Sequence, residues 1–375
     1  MYKNIGWTLG NACPSKCKHC YSMQIRKKSQ DLTKEIIDRV IKQIVKLGVE
    51  TVNLGGNEPI FTNGLDINKS LLPYIINELT KRNIAVGITS SGISIKALYE
   101  HYPNEFKKLN DIDISLDSPD EEEHDENRGS KVYKIAIEAL DLCQQYNIDS
   151  SIVMCAMKWN FTIDALKKLI QISKKYHANI RINMLKPTDK KHLSMMPSLE
   201  QINQGYELLI ENCDTLDMSE PVLAAYYDHK KIKGCSCGIS SFRINSITPE
   251  GKIPISPCVY MHHHQVGDLL VDEIDIIVNS KEFKELQKRN SQCENIKECS
   301  NCEKISICRG GCSAVAYWYH YHKTGIKDMF QKDPYCIIDT QKNKGVANHK
   351  KSKTLVHQNY LCTWIGRVKT ENIDE

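Results

Sequence analysis

The sequence contains no run approaching the roughly 18 apolar residues that a membrane-crossing helix needs, so no spanning segment is expected. Met1 runs straight into Tyr2-Lys3-Asn4 without a basic and apolar leader, so no signal peptide is read. The net charge is only +4 over 375 residues, too weak a field to argue for a nucleic-acid partner. No internal repeat is visible. These absences leave a cytoplasmic enzyme with no membrane or nucleic-acid partner as the expectation. The length exceeds the usual single-domain range, which favours one large domain and a smaller one.

Cysteine is abundant, with sixteen in the chain. A disulfide scaffold would need an oxidising compartment, which nothing in the sequence supports. Sixteen unligated thiols in a reducing cytosol would also be unusual. Metal or cluster ligation is the third option, and spacing decides it.

Residues 5 to 190 read as alternating strands and helices. Strands are predicted at 5–9, 51–54, 85–89, 112–116, 151–154 and 180–184, and helices across 32–47, 71–81, 132–146 and 166–176. Such alternation predicts a parallel sheet or partial (β/α)6 barrel with its chemistry at the C-terminal ends of the strands. The acidic run Asp120 to Glu126 reads as a solvated loop. Residues 196–234 look helical and polar, as a bridge would. After Gly234 the cysteines become dense, and Phe242 to Ile247 followed by Pro249-Glu250-Gly251 reads as a hairpin. The stretch 341–375 carries seven Lys/Arg against three acids, which suits a basic, solvated tail or a docking surface for an acidic partner.

Cys13, Cys17 and Cys20 form a C-x3-C-x2-C run just after the first strand. Three thiolates on one loop can hold three irons of a [4Fe–4S] cube, leaving the fourth iron open to a cofactor. A structural zinc would want a fourth ligand nearby, and His19 is the local candidate. At these residues the sequence resembles the radical S-adenosylmethionine (SAM) superfamily. The resemblance implies that the open iron chelates SAM, and that one electron then breaks a C–S bond to give a 5′-deoxyadenosyl radical. Gly55-Gly56-Asn57-Glu58-Pro59 is similar to the family's "GGEP" stretch, which implies that Gly55, Gly56, Asn57 and Glu58 hold the SAM amino group. Here Asn57 precedes the acid. By the same resemblance Ser90, Ser115, Asp117 and Arg128 contact the cofactor from the next strand ends, although Asp117 could equally cap a turn.

Cys299, Cys302, Cys308 and Cys312 are spaced C-x2-C-x5-C-x3-C, with Cys336 beyond them and Cys235, Cys237 and Cys258 upstream. Eight cysteines suffice for two fully ligated four-iron clusters, with two four-cysteine zinc sites as the alternative. The stretch resembles the SPASM extension of radical SAM enzymes. Carried over, the family's interleaved pattern gives one cluster from Cys235, Cys237, Cys258 and Cys312, and another from Cys299, Cys302, Cys308 and Cys336. Cys235 and Cys237 are one residue apart, which strains simultaneous ligation, and an open iron that binds substrate is the alternative there. Cys143, Cys155, Cys213, Cys293 and Cys362 have no partner at ligand spacing. Cys143 and Cys155 read as core, and Cys293 and Cys362 as incidental. His262-His263-His264 reads as a loop.

The resemblance thus implies a radical SAM core over 1–195, a helical bridge over 196–234, a SPASM domain over 235–340 and a basic tail over 341–375. It implies SAM and three [4Fe–4S] clusters, fed by a flavodoxin- or ferredoxin-type electron donor. Enzymes with this pairing commonly modify peptides oxidatively, by crosslinks, thioethers or related changes, so maturation of a ribosomal peptide is expected. The alternatives are a sulfatase-maturating (formylglycine-forming) enzyme, a dehydrogenase or decarboxylase of a small metabolite, and a non-enzymatic metal-binding protein. Val259 and Tyr260 follow Cys258, where a sulfatase-maturating enzyme is expected to place an acidic base. Only twelve residues precede Cys13, so recognition of the peptide is expected to be direct, through the basic tail, or through a separate leader-recognition protein. No catalytic base is assigned; Tyr21, Asn183, Lys186 and Tyr260 are the places to look.

Overall fold

Six apolar segments form strands β1 (Asn4–Thr8), β2 (Thr51–Gly55), β3 (Ala85–Ser90), β4 (Asp111–Ser115), β5 (Asp149–Ala156) and β6 (Asn179–Met184). Each is paired in parallel with the next. The computed structural model describes residues 2–10, 12–23, 26, 30–227, 232–338 and 362–369. Parallel strands must be covered on both faces, and β2 is accordingly buried along its whole length. The first covering helix, Lys34–Lys46, starts where the Thr33 side chain accepts from the Ile36 amide. It turns Ile37, Val40, Ile41 and Ile44 inward. The strand–helix alternation and the parallel sheet therefore form the partial barrel expected, and every strand's C-terminal end lies at one rim.

The sheet does not stop at six strands. Residues 196–234, expected as a polar helical bridge, contain the helix Leu199–Glu211, then β7 (Cys213–Met218), then the helix Pro221–Tyr226. All six residues of that last helix are buried. Two short strands follow, β8 (Arg243–Ile244) and β9 (Ile255–Ser256), with β8 laid parallel against β1. Finally β10 (Trp364–Val368) inserts between β6 and β7, antiparallel to both. The sheet order is β7-β10-β6-β5-β4-β3-β2-β1-β8-β9.

Two expectations are corrected here. The stretch expected as a solvated tail holds a buried strand, with Trp364 fully excluded from solvent; residues 341–361 and 370–375 lie outside the described residues. The acidic run 120–126 is helical, not a loop: Asp120 caps the helix Glu121–Arg128 by accepting from the Glu123 amide at 3.1 Å. Glu121, Glu122 and Glu123 lie in the first turn, where the helix dipole favours negative charge. Among the described residues, no helix is long and apolar enough to cross a membrane.

Candidate active site

The C-x3-C-x2-C loop leaves β1 and is fastened from outside itself. The Lys16 and Lys18 amides donate to the carbonyls of Arg128 and Asn127, each at 2.9 Å. Arg26 reaches in from the far side, donating to the Ser15 carbonyl at 2.9 Å and to Cys20 Sγ at 3.0 Å. Arg128 Nη1 lies 3.8 Å from Cys17 Sγ. Two guanidinium groups therefore stand against thiols of this set. Burial pushes the Cys13 thiol up to about 11 and raises Cys17 as well, so without a metal these thiols resist ionisation. His19 is not available as a fourth ligand. It sits beside Asn127 Nδ2 at 3.2 Å and Asp117 Oδ2 at 3.7 Å. Three sulfurs without a fourth ligand suit a cluster with one open iron better than a closed zinc site.

The loop lines a cleft at the C-terminal rim of the barrel. Cys13, Cys17, Cys20, Gly56, Asn57, Glu58, Ser90, Ser115, Asp117 and Arg128 all line it. Of the residues expected here, Gly55 alone stays behind the surface, within β2. Gly56 has φ +95°, and a Cβ there would lie 2.6 Å from Thr8 Oγ1, so only glycine fits.

The polar residues of the cleft are heavily engaged. Glu58 is buried and accepts from the Ser90, Ser91 and Ser94 hydroxyls and from the Ser91 and Ser94 amides. Its carboxylate thereby fixes the start of the helix Ile93–His101. Asn57 donates to the Gly10 carbonyl at 3.0 Å and accepts from Arg26 Nε at 3.0 Å, joining the "GGNEP" turn to the cysteine loop. Asp117 is fully buried; its Oδ2 pairs with Arg128 Nε at 2.7 Å, and its Oδ1 accepts from the Cys155 amide at 3.1 Å. Burial alone would raise the Asp117 carboxyl, but Arg128, His19 and His124 outweigh it and hold it below the usual carboxylate range.

Tyr21, Asn183, Lys186 and Tyr260 line the same cleft. Lys186 is buried, 3.5 Å from Glu220 Oε2, 5.6 Å from the Tyr260 ring centre, and 3.4 Å from the Cys362 carbonyl. Glu220 keeps it a cation against the cost of burial. Cys155, expected in the core, opens onto the cleft instead. The only acids lining the cleft, among the described residues, are Glu58 and Asp117, and both are already bound.

Beyond the cleft, nine further cysteines fall into two groups. Cys299, Cys302, Cys308 and Cys336 line a single cavity. Cys235, Cys237, Cys258 and Cys312 gather beside it, and Cys362 joins them. The sulfurs of Cys235, Cys237 and Cys362 lie within 4.8 Å of one another. The Cys312 thiol adjoins those of Cys235 and Cys362, and that of Cys258 adjoins Cys237. Sequence spacing missed Cys362 because β10 brings it back from far along the chain. Arg26 was missed too, since nothing in its neighbourhood marks it. The three histidines do form a loop, with His262 stacked on Trp318 and His263 on Tyr317.

Comparison with known proteins matches residues 7–183 to the Radical SAM superfamily and residues 235–303 to SPASM, an iron–sulfur cluster-binding domain. Mycofactocin maturase MftC of Mycolicibacterium smegmatis is 25% identical over 347 residues, covering 89% of this chain and 82% of that protein. The GTP 3′,8-cyclase of Alkaliphilus oremlandii is 24% identical over 302 residues, covering 73% and 84%. Among solved structures, Streptococcus suis SuiB bound to its precursor peptide SuiA superposes with a TM-score of 0.65 at 14% identity, covering 90% of this chain and 76% of that one. Native anSMEcpe with bound AdoMet gives 0.63 at 14% identity, covering 90% and 95%.

Proposed function

The chain belongs to the radical SAM superfamily and carries a SPASM domain, and on that premise we propose that it matures a peptide by an oxidative modification that begins with hydrogen abstraction. Bound SAM and iron–sulfur clusters would supply the reductive C–S cleavage, the 5′-deoxyadenosyl radical and the route for electrons. Cys13, Cys17 and Cys20 would hold the SAM cluster, Cys299, Cys302, Cys308 and Cys336 one auxiliary cluster, and the group around Cys258 and Cys312 the other. The donor sets fit: three thiols facing an open cleft in the first case, and at least four convergent thiols in each of the others.

The observation that carries the reading is the lining of the cleft. The three-cysteine loop, Lys186 and Tyr260 all line it, and Lys186 also reaches the Cys362 carbonyl beside the auxiliary cysteines. A substrate held in the cleft would lie near both the cofactor and an electron acceptor, which an oxidative outcome requires. Gly56 and Asn57 would orient the cofactor, and Glu58 would hold the helix beneath it. Lys186 places a buried positive charge between cleft and cluster. A flavodoxin or ferredoxin would deliver the starting electron, and leader recognition would fall to a separate protein or to this chain.

The peptide reading is supported by relatives whose names refer to a maturase and to a precursor peptide. Against the formylglycine reading stands Tyr260, which faces the cleft where an acidic base would be wanted. The test is anaerobic incubation of the reconstituted full chain with SAM, dithionite and each candidate short peptide encoded by a neighbouring gene. The expected result is 5′-deoxyadenosine together with a peptide that has lost hydrogen. 5′-Deoxyadenosine formation with no change in the peptide's mass or residue chirality would overturn the proposal.

A further inference from the structure

Five thiols converge where a fully ligated four-iron cube needs four. Three come from the Cys235–Cys237 turn and from Cys258, one from Cys312 at the start of the helix Ser313–Thr324, and one from Cys362 just before β10. All five are buried. Building on the auxiliary-cluster reading above, we propose that Cys362 is a ligand of this cluster, together with Cys237, Cys258 and Cys312, and that Cys235 is the thiol left over.

The geometry points this way for three reasons. Cys235 Sγ and Cys362 Sγ lie 3.3 Å apart and adjoin the same two thiols, Cys237 and Cys312, so they compete for the same corner. Cys235 and Cys237 also lie one residue apart, and seating both on one cube strains the turn between them; a thiol arriving from another chain segment relieves that demand. Finally, the backbone around Cys362 is held in place. Its carbonyl accepts from the buried Lys186 ammonium at 3.4 Å, and the Thr363 carbonyl accepts from the Ser219 amide at 2.9 Å. A thiol there is presented by the sheet itself.

Cys235 is held by its backbone instead. Gly234, at φ +75°, passes so close beneath Asn290 that a Cβ would collide with the amide, and Asn290 donates to the Cys235 carbonyl at 3.0 Å. This contact fixes the turn and leaves Cys237 as the member that reaches Cys258. The donor set around the site is all sulfur, which suits iron–sulfur or zinc and excludes hard-cation chemistry.

The experiment uses the full chain with Cys13, Cys17 and Cys20 changed to alanine, reconstituted anaerobically, so that only auxiliary clusters contribute. Iron, sulfide and zinc are quantified, and reduced samples are examined by EPR and by potentiometric titration. Cys362→Ser, Cys235→Ser and Cys237→Ser are compared with Cys213→Ser, a buried thiol on β7 away from the group. Serine keeps the shape of the side chain, so a folding failure is not expected. Cys362→Ser should alter the g-values and midpoint potential of one cluster, and Cys362→Ala should yield a [3Fe–4S] signal or lose that cluster, while Cys235→Ser and Cys213→Ser leave the spectrum unchanged. Spectra and potentials of Cys362→Ser that superimpose on the parent would overturn the assignment, as would a change confined to Cys235→Ser. Zinc in place of iron in the parent would overturn it as well. A parent that takes up no metal at all would remove the auxiliary-cluster reading itself, a result distinct from an unaltered Cys362→Ser.

Discussion

The two kinds of cysteine site are built in opposite ways. Cys13, Cys17 and Cys20 lie within eight residues on one loop and face an open cleft, with Arg26 and Arg128 at their thiols. The group around Cys312 is drawn from turns, a helix start and a strand edge spread between residues 235 and 362, and it is closed off from solvent. The first is a local device attached to a finished barrel; the second exists only when distant segments have met. Metal at a site of the second kind contributes to folding, because the unfolded chain has no such site. Metal at the first contributes to chemistry.

The sharpest way to break this contrast is Cys17→Ala. It should abolish 5′-deoxyadenosine formation while the thermal midpoint stays close to that of the parent. Cys312→Ala should do the reverse: iron content falls and the midpoint drops by several degrees, yet SAM is still cleaved. A midpoint that falls more in Cys17→Ala than in Cys312→Ala would refute the distinction. Next in size is Arg128→Met, which leaves Asp117 fully buried without its 2.7 Å partner. Removing one member of such a pair costs about 3–5 kcal/mol, readable by chemical denaturation.

The same pair sets an acid limb to stability. Asp117 is held below the usual carboxylate range, so its contribution is complete above about pH 3.9 and is lost as pH falls through its lower folded value. Asp117→Asn should flatten that limb. The smallest expected effect is that of Lys186→Met. Removing the cation beside Cys362 should shift the auxiliary potential downward by tens of millivolts, where about 59 mV corresponds to a tenfold change in a one-electron equilibrium. An unchanged potential would separate Lys186 from the cluster.

Much of this was legible in the sequence. The six parallel strands announced themselves through apolar runs separated by helical periodicity, and the cysteine spacings marked the cluster loops. What could not be read was whatever depends on the return of the chain. β7, Cys213-Asp214-Thr215-Leu216-Asp217-Met218, carries two acids and looks polar; it is a strand because β10 pairs with it. β10 itself sits beyond a basic stretch that resembles a tail. Cys362 looked incidental because sequence spacing cannot show that β10 returns to β6. The acidic helix at Glu121–Arg128 was hidden by composition, since run length suggested solvation while the Asp120 cap and helix dipole favoured a helix. At the site, the motif residues line the cleft, but the hydrogen bonds to Glu58 from three serines depend on how β3 meets the next helix.

The placement of β10 also bears on the order in which the protein comes to be. Trp364 pairs with Ile182, so a strand made long after β6 fills the slot beside it. Until it docks, β6 presents an unpaired edge, the kind of surface that recruits neighbouring chains into aggregates, and contacts of such long sequence separation form slowly. A maturation factor that delivers clusters during translation would reach the first loop early. The group around Cys312 would lack Cys362 until β10 arrives.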